Sequence, residues 1–132
     1  MTQRKPFSFR LDPESGVPVY RQIIDQVLAA VAAGRLPAGE QLPTVRQVAV
    51  DLAINPNTVV RAYRELEIRG MLETQQGTGT FVATQEVKEG EGERRRRLGQ
   101  LVAEFVARAG GAGFTVAELK EQLNDFESKN KR

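Results

Sequence analysis

The 132-residue sequence contains neither cysteine nor histidine. Without cysteine there is no disulfide framework, no thiolate metal site and no thiol nucleophile. Without histidine the usual general base and the commonest metal ligand are missing, which excludes a Ser-His-Asp triad and a zinc hydrolase. No apolar run approaches the roughly 20 residues that a membrane helix needs. Met1-Thr2-Gln3-Arg4-Lys5-Pro6 has no apolar stretch behind its charges, unlike a secretory signal. A strong charge of either sign is lacking too: 19 basic residues face 17 acidic ones, a net charge of +2. The balance is local as well as global, with nine basic and eight acidic residues over 1–84. Net charge therefore does not point to nucleic acid, and any such case must rest on where the charges sit. These absences predict a soluble cytoplasmic protein with no metal, no cofactor, no membrane partner and no enzymatic activity. Its length suits one ordinary domain, or a small domain with an appendage, and suffices for a core.

The organised part begins after a polar stretch, Met1 to Asp12, that reads as an arm. Pro18 suits the first turn of a helix. Tyr20, Ile23, Ile24, Val27, Leu28 and Val31 then recur at helical spacing, and Gly34 is placed as a terminal cap. Residues 34–43 read as a loop, anchored by Leu36 and Leu42. In Thr44-Val45-Arg46-Gln47 the Thr and Gln side chains form a capping box. It opens a short helix whose apolar face is Val45, Val48, Ala49 and Leu52. Ala53 and Ile54 make a turn, and Asn55-Pro56 opens a third helix, Asn as cap and Pro at the first position. Val59, Ala62, Tyr63 and Leu66 form its buried stripe, and Gly70 ends it. Leu72–Gln76 and Thr80–Ala83 flank Gly77-Thr78-Gly79, which predicts a hairpin.

Composition then shifts. Glu86 to Arg97 is nearly all charge and glycine, a linker or an exposed helix start. Leu98, Leu101, Val102, Phe105, Val106 and Ala109 make a new apolar stripe, broken by Gly110-Gly111-Ala112-Gly113. Thr115 and Glu118 form a second capping box. Phe114 and Leu119 are spaced for a hydrophobic staple. Val116, Leu119, Leu123 and Phe126 line a fifth helix. The predicted fold is thus mainly α with a small β-hairpin. A winged helix-turn-helix over 1–84 is followed by a two-helix tail over 85–132. The tail stripes either dimerise the protein or pack back on their own chain. Isolated helices bury little alone, and dimerisation through Leu98, Leu101, Val102, Phe105, Val116, Leu119, Leu123 and Phe126 is the expectation.

In a winged helix the second helix of the turn motif enters the major groove. The face opposite its buried stripe holds Asn57, Arg61 and Arg64, with Thr58 flanking. Amide and guanidinium groups read adenine and guanine bidentately. Arg46 lies in the first turn of the preceding helix, where a cation opposes the helix dipole. A phosphate or a base edge would favour it there; so would an ion pair with Glu40 or Asp51. Gln76, Gly77 and Thr78 form the wing tip, where glycine lets backbone approach a groove. Arg94-Arg95-Arg96-Arg97 reads either as a phosphate clamp or as a solvated helix start beside Glu86, Glu89, Glu91 and Glu93.

The runs Pro18–Ile23 and Gly34–Arg46, then Asn55–Glu67, Gly70-Met71-Leu72 and Gly77–Val82, together resemble the GntR family of bacterial transcription factors. The resemblance spans roughly 18–83 in the right order. It implies a DNA-binding winged helix that acts as a dimer on operator DNA. It further implies a DNA contact for Arg46, and recognition-helix roles for Thr58 and Arg61. Many members carry arginine where this chain has Pro56, so that base contact is absent or taken by Asn55 or Asn57. Gln76 and Gly77 match the wing tip. About 48 residues follow the wing, too few for a large effector domain, so no small-molecule effector is assigned. A two-helix tail of this length is similar to that of the YtrA-like branch. Kinship with that branch implies a homodimeric, nucleoid-associated repressor linked to a transporter operon. A winged-helix adaptor that never reads bases is the competing possibility.

Overall fold

The computed structural model describes residues 7–84 and 89–130. Two compact units divide the chain: Met1–Gln85 with Asn130–Arg132, and Glu86–Lys129. The first holds α1 (Val19–Ala32), α2 (Val45–Leu52), α3 (Pro56–Ile68) and an antiparallel hairpin of β1 (Leu72–Gln75) and β2 (Gly79–Val82). The second holds α4 (Glu91–Gly111) and α5 (Val116–Asn130). Mostly helical with one small hairpin, the chain has the expected fold class.

Local chemistry fixes the helix ends. The Thr44 hydroxyl accepts from the Gln47 amide at 3.1 Å, and the Gln47 side chain accepts from the Thr44 amide at 2.9 Å. This closes the expected capping box. Asn55 accepts from the Asn57 amide at 2.9 Å, with Pro56 as the first helical residue. Between them Ala53 adopts the left-handed conformation (φ 54°), which turns the chain sharply from α2 into α3. A β-carbon there is disfavoured by about 1–2 kcal/mol, so the turn is held from both sides rather than formed spontaneously.

The apolar stripes meet as their spacing requires. Ile23 and Val27 of α1 are fully buried, as are Val59, Ala62 and Leu66 of α3. Leu36 and Leu42 anchor the intervening loop in the same core. Full burial of one such side chain is worth about 1.5–3 kcal/mol, so the α1–α3 contact dominates the unit. Tyr63 adds direction to it. Its hydroxyl donates to the Pro43 carbonyl at 2.7 Å, tying the middle of α3 to the residue before the α2 cap.

The loop before α2 is less free than its sequence suggests. Leu42 N donates to Thr80 O and Val82 N to Glu40 O, both at 2.8 Å, and Gln41 bridges Phe81. Residues 39–42 thus run beside β2 as a strand-like segment joined to it by an isolated bridge. The polar arm is also tied down over its described part. Gln26 exchanges hydrogen bonds with the Arg10 backbone, and Gln22 with that of Asp12. Phe9 is buried and meets Phe7 edge-on, 4.8 Å between centroids. Two glutamine amides here replace the partners that a neighbouring strand would supply. In the second unit the Thr115–Glu118 capping box closes as expected. Helix α4 begins at Glu91, so 91–97 is an exposed helix start, while Glu86 lies outside the described residues.

Burial raises the ionisation of the Tyr63 hydroxyl well above that of a free tyrosine. The folded form therefore keeps its proton where the unfolded chain loses it. Stability should be unaffected below about pH 10, the ordinary tyrosine value, and should fall as pH rises beyond it. Urea unfolding of Tyr63→Phe should show a loss of about 1 kcal/mol at neutral pH and a shallower alkaline decline than the natural sequence. An identical decline in both would contradict the buried, hydrogen-bonded hydroxyl.

Candidate nucleic-acid interface

Helix α3 presents its outer face because its inner face is fully committed. Asn57, Arg61 and Arg64 are exposed, and Thr58 is half-buried at the flank. Asn55 is exposed too, but its side-chain oxygen already serves as the cap; its amide nitrogen is the part left for another partner. Arg46 is exposed in the first turn of α2. It makes no ion pair with Asp51 or any other described carboxylate. Arg64 likewise has none. Their neighbours behave differently: Arg21 pairs with Asp25 at 3.6 Å, and Arg69 with Glu65 at 3.4 Å. Arg64 is thus an open cation on the exposed face of α3, and Arg46 is one in the first turn of α2.

Arg61 is open at its rim but not loose. Its Cζ lies 3.7 Å from the centre of the Tyr20 ring, within cation–π range. Residue spacing gives no hint of this. Tyr20 lies on the apolar stripe of α1, and 41 positions of chain separate it from Arg61.

The wing tip is a tight turn. Thr78 N donates to Gln75 O at 2.9 Å, with Gly77 at φ 78°. Gln76, Gly77 and Thr78 are all exposed. Gln41 joins this group although sequence reasoning passed it over. Its side-chain amide donates to Thr78 O at 3.1 Å, fastening the tip to the strand-like segment before α2. The signal that would have found it is Gly79. This residue has φ 138°, and a Cβ there would lie 2.5 Å from the Gln41 amide nitrogen. The backbone conformation favours glycine here, and a side chain would also have to displace the Gln41 amide.

In the second unit half of the arginine run is paired with acids. Arg96 pairs with Glu93 and Arg97 with Glu89, each at 2.6 Å. The bond to Arg96 holds the Glu93 carboxyl below its usual range. The solvated-helix-start reading fits Arg96 and Arg97; Arg94 and Arg95 have no described carboxylate partner. Leu98, Leu101, Val102, Phe105, Val116, Leu123 and Phe126 are all exposed, and Leu119 is half-buried. Among the described residues no cluster of carboxylates could hold a metal, and no helix is long and apolar enough to cross a membrane.

A turn of two helices, braced by a third and followed by a hairpin, defines a winged helix-turn-helix, the architecture of DNA-binding transcriptional regulators. Comparison with known proteins takes the class to a family. Residues 19–82 match the model of the bacterial regulatory proteins of the gntR family. The uncharacterized HTH-type transcriptional regulator YhcF of Bacillus subtilis is 38% identical over 114 residues, 86% of this chain and 93% of that one. The transcriptional repressor YtrA of the same organism is 43% identical over 74 residues, 56% of this chain and 57% of its own length. A crystal structure of a transcriptional antiterminator from Listeria monocytogenes superimposes with a TM-score of 0.70 at 27% identity, covering 96% and 94% of the two chains. The chain belongs to the GntR family and is a DNA-binding transcriptional regulator.

Gly79→Ala should cost about 1–3 kcal/mol, because it forces a side chain into a glycine-only conformation and displaces Gln41. Gly77→Ala meets no neighbour within 4 Å and should cost only the strain of the left-handed backbone, about 1 kcal/mol. Chemical unfolding of the two variants checks the order. Equal losses would show that displacing Gln41 adds no cost at Gly79.

Proposed function

We propose that this protein is a homodimeric repressor that binds an inverted-repeat operator. In this reading residues 1–84 are the DNA-binding domain and 85–132 the dimerisation tail. Arg46 contacts phosphate or a base edge. Asn55, Asn57, Thr58, Arg61 and Arg64 face the major groove, and the Gln76–Thr78 tip follows a flanking groove. The observation that carries the DNA part is that Arg64 on the exposed face of α3 and Arg46 at the start of α2 are both exposed without a described carboxylate partner. Four described arginines, Arg21, Arg69, Arg96 and Arg97, pair with carboxylates, and a cation at the start of a helix, where Arg46 stands, opposes the helix dipole unless an anion meets it.

The dimer part rests on α4 and α5. Leu98, Leu101 and Leu123 are each more than half exposed, at 60%, 59% and 56%. In that unit only Ala109 is buried among the described residues. Apolar faces of this extent normally mark an interface, and a second copy supplies an identical, self-complementary stripe. Two winged helices joined in this way read a two-fold site. Repression is the mode named for the relative YtrA, and resemblance to that branch makes a transporter operon the regulated target.

Arg46→Ala should weaken operator binding by about 1–3 kcal/mol, the worth of one good base contact. If the partner is phosphate, all duplexes should weaken alike and the salt dependence should become shallower. Leu101→Asp with Phe105→Asp should give monomers in sedimentation, with the winged helix still folded and operator affinity lost. Dimers surviving both changes would refute the tail assignment, and unchanged affinity in Arg46→Ala would refute the DNA-facing assignment of α2.

A further inference from the structure

The contact between Arg61 and Tyr20 joins the outer face of α3 to the first turn of α1. Tyr20 is half-buried and packs against the core that holds Ile23 and Ile24, so its ring is supported from behind. The Arg61 guanidinium lies over that ring at 3.7 Å. Stacking uses the flat face of a guanidinium and leaves its N–H donors free in the plane. Guanine O6 and N7 are read by those in-plane donors. An unrestrained arginine must lose rotamer freedom when it docks, whereas a stacked one has lost much of it beforehand.

We propose that Tyr20 is a positioning residue for operator reading, holding Arg61 so that its guanidinium edge selects one base pair in each half-site. Tyr20 acts through Arg61 and not through a DNA contact of its own. The proposal rests on the assignment of α3 as the recognition helix. It adds that base preference is set partly by a residue of α1, outside the helix-turn-helix.

The test uses the full-length chain and a duplex recovered with it from a random DNA pool. Affinity is measured for that duplex and for its single-base variants. Tyr20→Leu should weaken binding roughly two- to thirty-fold, the range of a cation–π contact. It should flatten discrimination at the same base pair that Arg61→Ala flattens. Tyr20→Phe keeps the ring and should bind like the natural sequence. Tyr20→Leu combined with Arg61→Ala should be no weaker than Arg61→Ala alone. In the free protein the Arg61 side-chain N–H resonance, shifted by the ring, should return toward its unstacked position in Tyr20→Leu and stay in Tyr20→Phe. If Tyr20→Leu unfolds, Tyr20→Met serves the same comparison.

Full discrimination in the leucine or methionine variant, alongside its loss in Arg61→Ala, would overturn the positioning role alone. Tighter binding without the ring would mean that Tyr20 holds Arg61 away from DNA, and would also overturn it. Equal losses in the phenylalanine and leucine variants would assign the effect to the hydroxyl and overturn the stacking role. No effect of Arg61→Ala would overturn both the positioning role and the base-reading assignment beneath it.

Discussion

The seating of α3 is the constraint on which the rest of the winged helix depends. Val59, Ala62 and Leu66 leave no surface exposed, so the helix cannot roll about its axis without uncovering them. Tyr63 then fixes its position relative to α2, because the hydroxyl reaches the Pro43 carbonyl one residue before the α2 cap. One stripe and one hydrogen bond therefore decide which side chains face outward. Asn57, Arg61 and Arg64 share a face as a consequence of what Val59 and Leu66 bury. The Thr44 cap starts α2 directly after the pinned Pro43, which puts Arg46 in the first turn of that helix.

The wing is held by a different device. The segment 39–42 lies along β2, and Gln41 closes on the Thr78 carbonyl. The hairpin alone would be marginal, since two strands rarely stand without support. With the third segment in place, the exposed tip at Gln76–Thr78 is tied to the entrance of α2. Helix α3 and the wing are thus both fastened to the stretch Gly39–Thr44. Strain is accepted at Ala53 in the turn, and a glycine avoids it at Gly79 beside Gln41.

Features determined within a few residues were legible in the sequence. Both capping boxes, the Asn55-Pro56 helix start, the glycine turn and the apolar stripes appear where spacing and side-chain chemistry place them. What escaped is long-range and polar. Gln22 and Gln26 read as ordinary surface positions on a helix, yet they tie down the described part of the arm. Tyr20 reads as core, which it partly is, while its ring also carries Arg61. Gln41 sits in a loop without periodicity, so nothing local marks its bond to the wing. Asn55 shows the limit from the other side. Its role as a cap follows from the sequence, and that role occupies the oxygen that a DNA contact would otherwise use. The exposed stripes of α4 and α5 were legible as stripes, but a single chain does not determine what covers an apolar face.

In the proposed dimer two copies of this winged helix act together on one DNA site. Two-fold related recognition helices must read two-fold related sequences, with half-site centres about 34–36 Å apart or a multiple of that spacing. Selection of binding sites from a random DNA pool by the full-length protein tests this most directly. A two-fold dimer predicts an inverted repeat whose half-sites are separated by a whole number of helical turns. Recovery of a single asymmetric site, or of no enriched sequence at all, would contradict it.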